Sequence, residues 1–117
     1  MSDFVQIQVT FPSDSRAREL AELLVEQRLV ACAQILGPIT SFYNWNGHQE
    51  EEQETLLLAK TSKGNFKEVS EFISVRHPYE CPQIIALPLV CATGGYEQWL
   101  KESVRSCQNG QESESKG

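Results

Sequence analysis

The order of periodic segments in this 117-residue chain predicts an α+β domain built on an antiparallel sheet. Three observations carry the prediction: a two-residue alternation in residues 4–11, an Asn46-Gly47 pair between two β-rich runs, and two amphipathic helical patterns that separate strands. A hydrophobic content of 40% suffices for one core but not for two. We therefore expect a single domain over residues 1–107.

The first two elements are a strand and a helix. Apolar and polar residues alternate over residues 4–11, which is the period of a half-buried strand, and Pro12 ends it. Residues 15–28 place aliphatic side chains on one helical face and charges on much of the other. This pattern predicts an amphipathic helix with Ser13 or Asp14 as its cap.

A long β-hairpin is predicted next. Residues 29–36 form a short apolar run, Gly37-Pro38 bends the chain, and residues 39–45 continue with β-branched and aromatic side chains. Asn46-Gly47 favours the positive φ angles of a type I′ turn, so residues 49–60 should return antiparallel. At this length the hairpin should project beyond its own sheet.

The second half of the chain repeats the helix and strand pattern. A helical pattern ends before Pro78, and Asn65 with Glu68 suits its first turn. Residues 83–90 read as a covered strand in which Pro88 favours an edge position or a bulge. The apolar face of this second helix consists of Phe66, Val69, Phe72 and Ile73. A short third helix is predicted near the end of the chain, with the apolar residues Tyr96, Trp99, Leu100 and Val104.

Two split β-α-β units of this kind predict a ferredoxin-like fold with both main helices on one face of the sheet. The other face would carry part of the apolar runs at residues 56–59 and 84–89, which predicts self-association. Residues 108–117 contain no apolar side chain, so we expect a mobile tail there.

Charge and composition exclude several partners. Sixteen acidic against ten basic side chains give a net charge of −6, which repels nucleic acid and anionic membranes. No apolar run approaches the roughly 20 residues that span a bilayer, and we expect a cytoplasmic protein. The cysteines form no Cys-x-x-Cys pair, which favours reduced, structural thiols. They are Cys32, Cys81, Cys91 and Cys107.

Catalytic residues are scarce. The only histidines are His48, beside the predicted turn, and His77, and no nucleophile motif accompanies either. The carboxylates at residues 50–54 lack the apolar surroundings that raise a pKa for acid/base catalysis. We therefore predict that the protein is not an enzyme.

Three segments in fixed order carry a family resemblance: residues 29–33 (LVACA), residues 43–47 (YNWNG) leading to Lys60-Thr61, and residues 77–82 (HPYECP). Together they resemble the CutA divalent-cation-tolerance family over residues 7–104. The resemblance implies a ferredoxin-like protomer, a homotrimer similar to the PII signalling proteins, and a role in handling copper or another divalent cation.

The copper site that the resemblance implies is mostly missing from this sequence. The family's cysteine and two histidine positions correspond here to Val9, Arg76 and His77. Arg76 would place a permanent positive charge beside a cation. His77 is the candidate metal ligand, and a structural histidine is the competing interpretation. Two prolines prevent the helix that would bring Cys81 beside it.

Two further candidates are acidic and aromatic. Glu50, Glu51, Glu52 and Glu54 either form a solvated arm that blocks edge pairing or attract a hard cation. By analogy with PII-like trimers, a cleft between subunits is the second candidate. Its predicted lining is Tyr43, Trp45, Glu54, Lys60, Tyr79 and Glu80.

Two function hypotheses follow. The first is a cytoplasmic homotrimer linked to divalent metal tolerance that needs no metal to fold. The second is a PII-like trimeric sensor or scaffold that binds an organic ligand or a protein partner.

Overall fold

The computed structural model describes residues 3–106. Four strands form one antiparallel sheet in the order β2-β3-β1-β4, with two helices packed on one face and a third at the end of the other. This is the predicted ferredoxin-like α+β arrangement. The elements are β1 (Phe4–Phe11), α1 (Asp14–Glu26), β2 (Cys32–Trp45), β3 (His48–Ser62), a 3-10 turn (Lys63–Asn65), α2 (Phe66–Ser74), β4 (Ile84–Pro88) and α3 (Gly94–Ser103).

The central strand β1 has the bounds that its alternation predicted. Its odd-numbered side chains pack against α1 and α2. In the pairing of β1 with β3, Ile7 lies opposite Ala59 and Val9 opposite Leu57, so these β3 side chains are on the same side of the sheet. We call this side of the sheet the covered face. All four of these side chains are fully buried, so this face holds the main core.

The hairpin of β2 and β3 projects beyond the sheet, as expected. Strand β1 pairs with β3 only from Thr55 onward, so the seven β3 residues before it pair with β2 alone in the sheet. Asn46 has φ 52° and Gly47 has φ 80°, the positive pair of a type I′ turn. The register of β2 with β3 shifts between Leu36 and Ile39. The two backbones are close there, because a Cβ on Gly37 would lie 3.3 Å from Thr55 Cα.

The link between α1 and β2 differs from the sequence prediction. Helix α1 starts at Asp14, with Ser13 as the cap that accepts a bond from Arg16 N–H, and it ends two residues early. Residues 29–31 were expected in a strand, but they form a buried connection instead. Leu29 N–H donates to Leu24 O, and Leu29 O accepts from Thr61 Oγ1 at 2.7 Å. Ala31 N–H also donates to Lys60 O at 2.7 Å, so the connection is held against β3 without being a strand itself.

Asn65 stands at the N-cap position of α2, but its side chain bonds elsewhere. Its side chain makes no capping bond to α2. Instead, buried in the fold, it donates to Arg105 O at 2.9 Å and to Thr61 Oγ1 at 3.3 Å. Asn65 thereby ties the start of α2 to the segment after α3, and the prediction that Asn65 and Glu68 lie in the first turn of this helix is confirmed.

Strand β4 lies at the edge of the sheet, the position that Pro88 favoured, and it is shorter than predicted. Helix α3 then crosses the opposite side of the sheet, where Leu100 packs on Phe4 and Ala31. Val104 lies just past its end. The predicted tail at residues 108–117 lies outside the described residues.

The side of the sheet away from α1 and α2 stays largely open within one chain, and we call it the open face. Alternation along the paired strands puts Leu36, Leu58, Ile85 and Leu87 on it. Leu36 is 56% exposed, and the two β4 residues are also exposed. An apolar surface of this kind normally contacts another protein surface. Within residues 3–106 no helix is long and apolar enough to cross a bilayer.

Candidate functional site

A groove of about 800 Å³ lies where the base of the projecting hairpin meets the loop between α2 and β4. Its polar lining includes four carboxylates, and its apolar lining is mostly aromatic. Among the described residues 3–106, no lysine or arginine lines it. The lining residues are Thr10, Ser41, Phe42, Tyr43, Trp45, Glu50, Glu52, Glu54, Pro78, Tyr79, Glu80, Cys81 and Gln83.

Strand β3 supplies three of the carboxylates in a row. Glu50, Glu52 and Glu54 are alternate residues of one strand, so their side chains share a face, as the sequence predicted. The antiparallel register sets Glu50 opposite Tyr43 and Glu52 opposite Ser41 on β2. The type I′ turn fixes this register, and therefore it fixes which aromatic side chain faces which carboxylate.

Glu54 is the buried member of the row, with 7% of its surface exposed. Its Oε2 accepts a 2.8 Å hydrogen bond from the Tyr79 hydroxyl. Within residues 3–106 the only ion pairs are Arg18–Asp14 and Arg105–Glu68, so Glu54 has no cationic partner there. Buried carboxylates are normally paired with a positive charge. Glu54 therefore marks the groove as a place that favours a cation.

The pKa values of the two groove tyrosines, Tyr43 and Tyr79, are both raised. The pKa of Tyr79 lies well above its ordinary value, first because of desolvation and then because of its bond to Glu54. Desolvation also raises the pKa of Tyr43, and the charges of Glu52, Glu50 and Glu54 add to it in that order. Both hydroxyls therefore remain protonated at neutral pH and can act as hydrogen-bond donors.

His77 lies behind the groove and is buried. Its Nδ1 accepts a 3.1 Å bond from Tyr79 N–H, so Nε2 carries the proton and donates to Thr10 O at 2.7 Å. The ring stacks on Phe11, with centroids 4.5 Å apart. Burial lowers the pKa of this imidazole, which favours the neutral form. Both ring nitrogens are thus occupied by backbone groups.

The structure places the other candidate copper positions apart from the groove. Val9 is fully buried in the main core. Arg76 is exposed, and its guanidinium carbon lies 3.6 Å from the centre of the Phe72 ring. Within residues 3–106 no group of three or more His, Cys, Asp or Glu side chains is arranged to hold a metal ion.

Of the six predicted cleft residues, five line the groove: Tyr43, Trp45, Glu54, Tyr79 and Glu80. Lys60 does not, and its Nζ donates instead to Gln34 Oε1 at 3.1 Å. It shares a strand face with Glu54, but six residues of extended chain put the two about 20 Å apart.

The sequence analysis connected the acidic arm with the aromatic cleft through Glu54 alone, whereas the structure also brings Glu50 and Glu52 into the groove. The missed lining residues include Ser41, Phe42 and Gln83. The sequence did contain a signal for one part of the groove. Pairing residues outward from the Asn46-Gly47 turn sets Tyr43 opposite Glu50, as the structure has it. The position of Gln83 has no such signal, because it depends on the path of an irregular loop.

The fold and the groove define a class of protein: a ferredoxin-like α+β protomer with a projecting hairpin, an open apolar face and an acidic groove. A family model described as CutA1 divalent ion tolerance protein matches residues 5–103. The chain belongs to this family.

Individual relatives agree with the family model. The chain is 43% identical over 95 residues to the divalent-cation tolerance protein CutA of Thermus thermophilus, covering 81% of this chain and 92% of that protein. It is 38% identical over 101 residues to protein CutA of Mus musculus, covering 86% of this chain but only 57% of that longer protein. The solved structure of the Cut A1 protein from Thermus thermophilus superposes with a TM-score of 0.84 at 40% identity, covering 87% of this chain and 99% of that one.

Proposed function

We propose that this protein is a non-enzymatic homotrimer that contributes to divalent metal tolerance, copper included, by binding cations at acidic clefts. The observation that carries the proposal is the charge of the groove: Glu54 is buried without a cationic partner among residues 3–106, and three more carboxylates line the same groove. Tolerance of divalent cations is the property for which the family and the Thermus thermophilus relative are described.

Two surfaces support the trimer. The hairpin projects with Trp45 51% exposed and Phe42 64% exposed, and an isolated hairpin is marginal in water. The open face exposes Leu36, Ile85 and Leu87. Three copies in a ring, each adding its hairpin to a neighbour, would cover both surfaces by closed heterologous contacts. The groove then lies at the boundary between subunits.

The metal chemistry follows from the donor atoms. Carboxylate oxygens suit hard divalent cations, and copper prefers imidazole or thiolate. His77 contributes little, because a metal on either ring nitrogen would displace its bond to Thr10 O or to Tyr79 N–H. Cys81 lines the groove and has a free thiol. Copper affinity should therefore be modest, with Cys81 and the carboxylates as its ligands.

A cytoplasmic location and the absence of catalysis complete the proposal. Cys32, Cys81 and Cys91 are free thiols, which suits a reducing compartment. Catalysis is disfavoured because His77, the histidine nearest the groove, is neutral and held by two backbone groups. A PII-like sensor or scaffold is the second candidate, favoured by the aromatic lining of the groove, which suits an organic ligand.

Titration calorimetry on chelator-stripped protein tests the proposal. We expect copper and zinc to saturate at a fixed ratio per subunit, and light scattering to give three times the 13.2 kDa chain mass. Glu54→Gln should weaken binding, whereas Glu51→Gln, on the other face of the same strand, should not. Unsaturable uptake, or equal losses in both variants, would reject cation binding in the groove. A monomeric mass would reject the trimer.

A further inference from the structure

The carboxylates of the groove are arranged in a row and not around a point. Glu50, Glu52 and Glu54 follow one another on the same face of β3, so neighbours are about 7 Å apart along the strand. A metal ion needs its ligands within about 2.5 Å of a single centre. Within residues 3–106 no group of three such side chains meets that condition. A row of charges matches a ligand whose own charges are spaced along a chain.

Aromatic side chains flank this row. Tyr43 and Trp45 lie on the same side of β2, facing the carboxylates across the hairpin, and Tyr79 closes the inner end. Aromatic rings attract ammonium groups through their faces and also contact the methylene groups between them. A hydrated metal ion gains little from such a surface, whereas an organic cation contacts both the rings and the carboxylates.

The burial of Glu54, the innermost carboxylate of the row, adds a further indication. This side chain is nine-tenths buried, it receives one hydrogen bond from Tyr79, and no basic side chain of residues 3–106 pairs with it. A charged ligand entering the groove would supply the missing positive charge. The second carboxylate oxygen of Glu54 would accept a hydrogen bond from an ammonium group.

From these three features we infer that the groove binds a linear aliphatic polyamine, whose ammonium groups pair with Glu54, Glu52 and Glu50 while its methylene groups lie against Tyr43 and Trp45. The inference rests on the proposed function, because the same groove is the proposed cation cleft of the trimer. It names a second ligand class for that groove, selected by shape as well as by charge. A divalent metal that keeps several waters needs only one or two of these carboxylates and would compete with the polyamine for them.

The test uses spermidine as the probe on the full-length chain, in buffer with physiological salt. Calorimetry should give saturable binding, and in a Trp99→Phe background the fluorescence of Trp45, then the only tryptophan, should change with the same midpoint. Hexaamminecobalt(III) carries the same charge in compact form and should bind at least about tenfold more weakly, a difference of 1.4 kcal/mol. Equal affinity for the compact ion would overturn the inference.

Matched variants locate the site. Glu54→Gln keeps an acceptor for Tyr79 and removes the charge, so it should lower spermidine affinity about tenfold, the usual effect of one charge-assisted hydrogen bond. Glu51→Gln makes the same charge change on the opposite strand face and should change the affinity less than about twofold, since salt screens distant charges. If Glu54→Gln does not fold, the less buried pair Glu50→Gln and Glu52→Gln replaces it. Equal losses in the groove variant and in Glu51→Gln would overturn the inference.

Failure of the inference can be told apart from failure of the proposed function. Light scattering and copper titration are run on the same samples. A trimer that saturates with copper but gives no saturable spermidine signal would overturn the inference and leave the proposed function in place. Spermidine binding with a monomeric mass would support the groove as its site and reject the trimer.

Discussion

Both faces of the sheet carry apolar side chains, but only one of them is covered by helices of the same chain along its length. On the covered face, Ile7, Val9 and Leu57 are fully buried by α1 and α2 of the same chain. On the open face, α3 covers only one end, and Leu36 and Leu87 remain exposed. The covered face therefore determines whether the chain folds. The open face and the hairpin determine what it contacts and binds.

The largest expected effect is on assembly. Trp45→Asp places a charge on the projecting hairpin where we expect an aromatic contact with a neighbouring subunit, because aromatic side chains tend to dominate such interfaces. The variant should run as a monomer or aggregate in light scattering. Asn44→Asp, one residue away on the other strand face, is the control and should remain trimeric. A Trp45→Asp trimer of unchanged stability would contradict this account of the hairpin.

The next effect contrasts two neighbours on β3. Leu57 is fully buried on the covered face, so Leu57→Ala should cost about 3 kcal/mol of unfolding free energy. Leu58 is half-buried on the open face, and Leu58→Ala should cost about 1 kcal/mol. Because the trimer would bury Leu58, its loss should depend on protein concentration. Denaturant unfolding of both variants at two protein concentrations measures these losses of stability. Equal losses would remove the distinction between the two faces.

A smaller effect is expected from one hydroxyl group. Tyr79→Phe deletes the donor to Glu54, a buried carboxylate, and should destabilise the protein by about 1–2 kcal/mol. Tyr96→Phe is the matched control: the Tyr96 hydroxyl lies 3.9 Å from the Cys32 sulfur, a weak contact, so its loss should change little. Thermal unfolding of both variants gives the comparison. An unchanged melting temperature in Tyr79→Phe would mean that the hydrogen bond from Tyr79 does not stabilise Glu54.

The sequence predicted the covered face better than the open one, for a physical reason. The alternation of β1 and the Asn46-Gly47 turn are local signals, and both were confirmed. Residues 29–31 were assigned to a strand in error, because a short apolar run has the same pattern in a strand and in a buried connection. The groove combines β2, β3 and a loop, so its composition depends on register and loop path. Lys60 was predicted in a cleft between subunits by analogy; within one chain it lies about 20 Å along β3 from Glu54, so its place in such a cleft stays a prediction.

The smallest expected effect is on pH dependence, and it involves the residue that joins the two faces. The ring of His77 stacks on Phe11 in the covered core, while its nitrogens bond Thr10 O and Tyr79 N–H beside the groove. Desolvation lowers its pKa below the ordinary 6.5; the bond to Thr10 and the charge of Glu54 oppose the shift, and Arg16 adds to it.

The sign of this pH effect is fixed by proton binding. Between the two pKa values the unfolded chain binds more protons than the folded one, so stability falls as pH drops below about 6.5 towards the folded-state pKa. Thermal unfolding of the wild type should therefore weaken from pH 7 to pH 5 more steeply than that of His77→Gln. His48→Gln, at the exposed start of β3, should follow the wild-type slope. Parallel slopes for wild type and His77→Gln would show that His77 titrates alike in both states, and would remove it as the link between the core and the groove.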